Sequence, residues 1–187
     1  MWALVESNNV TQVYTRPKAL TIGNVNYPSN IFTMWSASEL EAIGIYEVVQ
    51  DGTNYKDPKY YSNTDQSFNF ASGTVTATYG TATAKPLNDS GSGDTLVKGL
   101  KTLHKEVINS GASSKLSPTD WMVVRAAEGG TAVPSSITTQ RAAVRTKANA
   151  MCTQIDNAAD VDALAALYVY NNADPAVRPI GELPTVG

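Results

Sequence analysis

The sequence predicts an α+β protein: an N-terminal, mainly antiparallel β domain followed by a C-terminal bundle of three or four helices. Three observations carry this. Short β-like runs separated by turn clusters, most clearly the alternating run from Thr74 to Ala84, give way to a helical period after the linker. Between the two textures, Asn88 to Asp94 contains no apolar residue. Helix-start chemistry then recurs at Ser117, Pro134 and Asp160. The implied organisation is a β-rich domain over 1–87, a Gly/Ser linker over 88–94, a helical domain over 95–170 and an extended, proline-containing tail over 171–187.

In chain order, Trp2 and Leu4 are separated from Val10, Val13 and Tyr14 by the turn cluster Ser7-Asn8-Asn9, which reads as a hairpin. A short helix is expected from Ser38 to Ile43, capped by Ser38, favoured by Glu39 and Glu41 in its first turn and ended by Gly44. Strands are expected at Ile45 to Val49, Lys59 to Ser62 and Ser67 to Phe70. The clearest runs from Thr74 to Ala84, where Val75, Ala77 and Tyr79 alternate with threonines and Gly80 marks a bulge or a junction of two strands.

Beyond the linker, Leu96, Leu100, Leu103 and Val107 fall on one helical stripe, flanked by Val97, His104 and Ile108, with Lys98, Lys101 and Lys105 opposite. Ser117-Pro118-Thr119-Asp120 starts a helix whose Trp121 and Val124 are expected to face inward, and Gly129-Gly130 stops it. Pro134-Ser135-Ser136 opens a long helix to about Ala158, with Ile137, Val144, Ala148, Met151 and Ile155 on its inner stripe. Asp160 caps a last short helix containing Leu164, Leu167 and Tyr168. Asn171-Asn172 and Pro175, Pro179 and Pro184 make the remainder extended.

At 187 residues the chain suffices for one large domain or two small ones. Its charged fraction of 17% lies well below the usual value of about 25%, with Ser, Thr, Asn and Ala filling the gap. A net charge of −3, a pI of 5.1 and the lack of any Lys/Arg run argue against a nucleic-acid binder. No apolar stretch reaches the roughly 18 residues of a membrane span, and Met1 to Glu6 lacks the regions of a signal peptide, so synthesis in the cytoplasm without membrane insertion is expected.

Chemistry-bearing residues are sparse. His104 is the sole histidine, and Val107 and Ile108 occupy the positions where a second metal ligand would stand. Cys152, the sole cysteine, sits near the apolar stripe of the long helix as a structural thiol. Glu39 with Glu41, and Asp160 with Asp162, occupy helix starts, where the dipole accounts for them. Gly91-Ser92-Gly93 lacks the Lys-Ser/Thr of a phosphate loop. No catalytic, metal-binding or cofactor-binding residue is therefore assigned, and no cofactor is expected. Arg141 lies beside the apolar stripe, where it pairs with Asp120 or Glu128 or contacts a partner chain.

The run Leu116 to Glu128 (LSPTDWMVVRAAE), then Ala132-Val133-Pro134, then Arg141 to Arg145 (RAAVR) closely resembles the C-terminal helical module of tailed-bacteriophage proteins associated with tail fibres. Met1 to Glu6, the acidic helix with Gly44-Ile45-Tyr46, and Lys85-Pro86-Leu87 resemble the β part of the same group, whereas the Gly/Ser linker and the proline-rich tail depart from it. The resemblance implies a non-enzymatic structural protein of the virion tail. It would act as an adaptor between tail fibre and baseplate or tail, in several copies within a symmetric assembly. Its partners would be other phage tail, baseplate or fibre proteins, with no nucleic acid. Residues expected to meet a partner are Trp121, Arg141, Arg145, Tyr168, Tyr170, Pro175, Pro179 and Pro184. The alternatives are a tail-fibre assembly chaperone not retained in the virion, and a carbohydrate-binding module stacking sugars on Trp2, Trp35 or the Tyr60-Tyr61 pair.

Overall fold

A computed structural model describes residues 1–186. The chain is α+β and divides into two compact units, the first spanning Met1–Thr83 and the second beginning at Ala84.

Unit 1 is built on a five-stranded sheet. Strands β1 (Trp2–Glu6) and β2 (Asn9–Tyr14) form the expected hairpin, whose two central residues, Ser7 and Asn8, have φ of 49° and 66°. Positive φ at both positions gives the chain reversal a twist that matches the strands. Strand β5 (Ile45–Asp51) lies antiparallel to β1 on its other side and parallel to β8 (Thr74–Tyr79), which pairs antiparallel with β7 (Gln66–Ala71). The order β2-β1-β5-β8-β7 curls so that its edge strands β2 and β7 approach each other. Two short ribbons complete the pairing: β3 (Leu20–Ile22) with β4 (Val25–Tyr27), and β6 (Tyr61–Ser62) with β9 (Thr83–Ala84). The expected strand from Thr74 breaks at Gly80, whose N–H donates to Thr64 Oγ1 at 2.7 Å instead of to a neighbouring strand.

Alternation along the strands divides their side chains between two cores. One face packs Ala3, Val48, Val75 and Ala77 with the partly buried Phe68 and Phe70. The other packs Leu4, Tyr14 and Ile45 against Phe32 and Leu40, contributed by α1 (Ile31–Met34) and α2 (Ala37–Glu41). Helix α2 starts one residue before the expected position because its cap is Ser36, not Ser38. Ser36 Oγ accepts from Glu39 N–H and Glu39 accepts from Ser36 N–H at 2.8 Å, a reciprocal capping pair. Gly44, at φ 83°, then turns the chain into β5 while its carbonyl accepts from Val5 N–H at 2.8 Å.

Unit 2 contains α3 (Leu100–Leu116), a 3₁₀ turn at Ser117–Thr119, α4 (Asp120–Ala127), α5 (Ser135–Asp156) and α6 (Val161–Ala166). The segment expected to link two domains, 88–94, is instead the first loop of this unit. Ser90 bridges to Val97, and the Asp89 carboxylate accepts from Gly99 N–H at 2.7 Å and from Thr102 Oγ1 at 2.9 Å at the start of α3. Those two bonds hold the Asp89 carboxyl below its ordinary pKa. Because α3 begins only at Leu100, the stripe Leu96-Leu100-Leu103-Val107 does not form. Leu100, His104, Ile108 and Ala112 turn inward, leaving Leu96, Leu103 and Val107 exposed. On α5 the expected inner stripe holds from Val144 to Ile155, with Arg141 buried at its head and Ile137 only half-buried. Asp160 caps α6 by accepting from Ala163 N–H at 2.7 Å.

The proline-containing tail has no regular element, yet it is folded back on the helices. Ile180 is fully buried, with its N–H donating to the Leu167 carbonyl at 3.0 Å, and a Cβ added at Gly111 of α3 would meet Leu183 at 3.2 Å. Arg178 lies over the rings of Tyr168 and Tyr170 and pairs with Glu182, which also accepts from Tyr170 Oη at 2.9 Å.

Two substitutions test these constraints by chemical denaturation. Gly44→Ala places a Cβ 2.9 Å from the Val5 carbonyl at a positive φ and should cost about 2 kcal/mol, whereas Gly23→Ala, in open space, should cost less. Ile180→Ala empties a fully buried position and should cost about 3 kcal/mol, an effect that a detached tail would not show.

Candidate functional site

The corner between α3 and α4 is the most organised polar site of unit 2. Helix α3 ends where Ser117-Pro118-Thr119 tightens into a 3₁₀ turn, leaving the Leu116 carbonyl without a helical partner. Arg141 reaches it from α5: its guanidinium donates to Leu116 O at 2.7 Å, to Thr119 Oγ1 at 2.5 Å and to Asp120 Oδ1 at 2.6 Å. With 6% of its surface exposed, Arg141 fills this role internally, while the Asp120 carboxylate remains largely in solvent. The expected choice between Asp120 and Glu128 thus falls on Asp120, the first residue of α4.

One turn further along α5, Arg145 is exposed and has no hydrogen-bond or ion-pair partner among the described residues. It lines a cleft of about 270 Å³ together with Val123, Val133, Thr138 and Arg141.

Helix α4 departs most from expectation. Trp121 and Val124, expected to face inward, are each 55% exposed, Val123 is 42% exposed, and the helix has no buried residue. Two features explain this. The helix is only eight residues long, and its side chains are directed by the corner that Arg141 closes, whereas an isolated stripe count assumes that every apolar face finds a core. The Arg125 guanidinium lies over the Trp121 ring, 4.8 Å from its centroid.

The remaining residues expected to meet a partner lie elsewhere. Tyr168 is half-buried with its ring 4.7 Å from that of His104. Tyr170 and Pro179 line an open groove of about 520 Å³ with Val169 and Val177, both exposed. Pro175, which follows a cis peptide bond, is exposed, and Pro184 is half-buried. Trp121 lies on α4 beside Arg125 and Arg145 lines the cleft with Val123, while Tyr168 and the prolines belong to the tail and its packing.

His104 is buried on the inner face of α3. Cys152 on α5 has Asn109 Oδ1 at 3.8 Å, and burial pushes its thiol pKa up. Among the described residues no cluster of His, Cys, Asp and Glu could hold a metal ion, and no helix is long and apolar enough to cross a membrane.

Unit 1 contains a pocket that sequence reasoning did not assemble. Trp2, Phe32, Trp35, Ala37, Leu40, Ile45 and Glu47 enclose about 260 Å³. The signal was present in the alternation of β1 and β5, which places Trp2 directly opposite Glu47 on one face, but the cross-strand register had to be known first. Of the expected sugar-stacking residues, Tyr60 is buried and offers no free ring face, while Trp35 is exposed and lies edge-on to Tyr27 at 5.9 Å.

No protein-family model, curated protein or solved structure matches the chain.

Two arginines one helical turn apart give a direct test. Arg141→Ala removes three guanidinium bonds, to the Leu116 carbonyl, to the Thr119 hydroxyl (which still donates to that carbonyl at 3.0 Å) and to Asp120, and empties a buried position; it should cost about 2–3 kcal/mol in urea denaturation. Arg145→Ala, which breaks no internal bond, should stay within about 0.5 kcal/mol of the parent.

Proposed function

We propose that the chain is a non-enzymatic structural protein of a bacteriophage tail, an adaptor between tail fibre and baseplate or tail that works through protein contacts. The single observation that supports this reading best is α4, an eight-residue helix with no buried residue that presents Trp121, Val123 and Val124 to solvent. Exposed apolar side chains clustered on one helix favour a protein partner. Their composition is that of interface hot spots: a tryptophan under an arginine, and a valine lining a cleft with a second arginine that has no internal partner among the described residues. The residues of this surface are those on which the resemblance to tail-fibre-associated proteins rests, from Leu116 to Glu128 and from Arg141 to Arg145.

An adaptor of this kind needs its contact surface rigid before binding, so that association does not also have to order it. Arg141 supplies that rigidity by fixing α4 to the ends of α3 and α5. The low charge of the chain points the same way: contacts made by short polar and apolar groups depend on fit more than on long-range steering.

The experiment is to replace Trp121 by Ala in the phage that encodes the chain and to measure its incorporation into purified particles. Incorporation should fall at least about tenfold, the loss of a hot-spot side chain, while urea stability stays within about 0.5 kcal/mol because the indole is exposed. Unchanged incorporation would remove α4 as the contact surface.

A further inference from the structure

The pocket of unit 1 is lined by two kinds of group, aromatic rings and a carboxylate. Trp2 and Trp35 are aromatic walls, Phe32 packs 4.9 Å from the Trp2 ring, and Leu40 and Ile45 form an apolar floor. Glu47 stands across the strand pair from Trp2 in register, and among the described residues its carboxylate has neither a hydrogen bond nor an ion pair. A carboxylate beside indole faces favours one ligand chemistry, a flat or compact cation. The ring quadrupoles attract the charge and the carboxylate accepts its hydrogen bonds.

Two further observations favour a cation. The whole net charge of −3 lies on residues 1–83, where four basic side chains face seven acidic ones; from Ala84 onward ten basic residues balance ten acidic ones. The lysines of this unit are also already placed over other rings, Lys18 over Tyr14, Lys56 over Tyr61 and Lys59 over Tyr60, so the unit's own cations leave Trp2 and Trp35 open.

We propose that the Trp2–Trp35–Glu47 pocket binds an arginine side chain presented by a protein partner. The aliphatic stem would lie on Leu40 and Ile45, the guanidinium plane on an indole, and its N–H fork on Glu47, a combination that arginine alone among side chains provides. A volume of about 260 Å³ accommodates one such side chain. The protein-contact reading above enters only in the source of the arginine; the selectivity of the pocket is a property of the isolated chain.

The test uses the full chain with its three tryptophans labelled at the indole nitrogen, followed by NMR. Acetyl-Gly-Arg-Gly-amide should shift the Trp2 and Trp35 indole signals saturably and leave Trp121, in unit 2, in place as an internal control. The peptide carrying neutral citrulline in place of arginine should bind at least about fivefold more weakly, and Glu47→Gln should weaken arginine binding about threefold, as expected for partly solvated ionic contacts. Trp35→Ala, at an exposed position, should abolish the Trp2 response without unfolding the chain. Equal binding of both peptides, equal movement of Trp121, a stronger saturable response to N-acetylglucosamine, or no saturable shift would each overturn the proposal. Loss of particle incorporation on altering α4 has no bearing on these signals, so the two readings fail separately.

Discussion

One buried guanidinium organises the helical unit. Arg141 joins the last carbonyl of α3, the hydroxyl of the 3₁₀ turn, which itself donates to that carbonyl, and the first carboxylate of α4. The direction of α4, and with it the display of Trp121, Val123 and Val124, follows from this closure. Arg141 is therefore a positioning residue, whereas its neighbour Arg145 stands exposed with no internal partner among the described residues. The same side-chain type thus has two roles one helical turn apart, decided by what lies within reach of each.

The tail works by a similar economy of ordered contacts. Asn171 turns the chain by accepting from the N–H groups of Ala173 and Val177, and Ile180 then inserts into the helical core. Tyr168, Arg178, Tyr170 and Glu182 form a stacked and hydrogen-bonded clasp over it. The Glu182 carboxyl is held below its ordinary pKa, chiefly by Arg178, so the clasp is complete above the usual carboxylate range and weakens as pH falls through the lowered value. Prolines at 175, 179 and 184 keep this segment from competing as a helix, and its order comes from side chains instead.

Much of the fold is legible in the sequence because its signals are local. The Ser7-Asn8 turn, the alternation at Val75 and Ala77, the stop at Gly129 and the Asp160 cap each depend on a few adjacent residues. What the sequence hides is non-local. Whether Asn88 to Asp94 is a linker depends on Asp89 meeting Gly99 and Thr102, ten and thirteen residues away. Whether Trp121 is core or surface depends on how much neighbouring structure an eight-residue helix can reach, which no stripe count contains. Arg141 is legible as a half-buried arginine beside an apolar stripe, and Asp120 as one of its two expected partners. The pocket of Trp2, Trp35 and Glu47 is not, because its members meet only through the pairing of β1 with β5 and the capping box that seats α2.

The proposed function makes this chain a resident protein-contact part of a phage particle. Quantitative mass spectrometry of purified virions, set against lysate from the same infection, tests it most directly. A resident part should be found in virions at a fixed ratio to a known tail protein. Abundance in the lysate with absence from the virions would contradict it, and would assign the α4 surface to a transient role in fibre assembly.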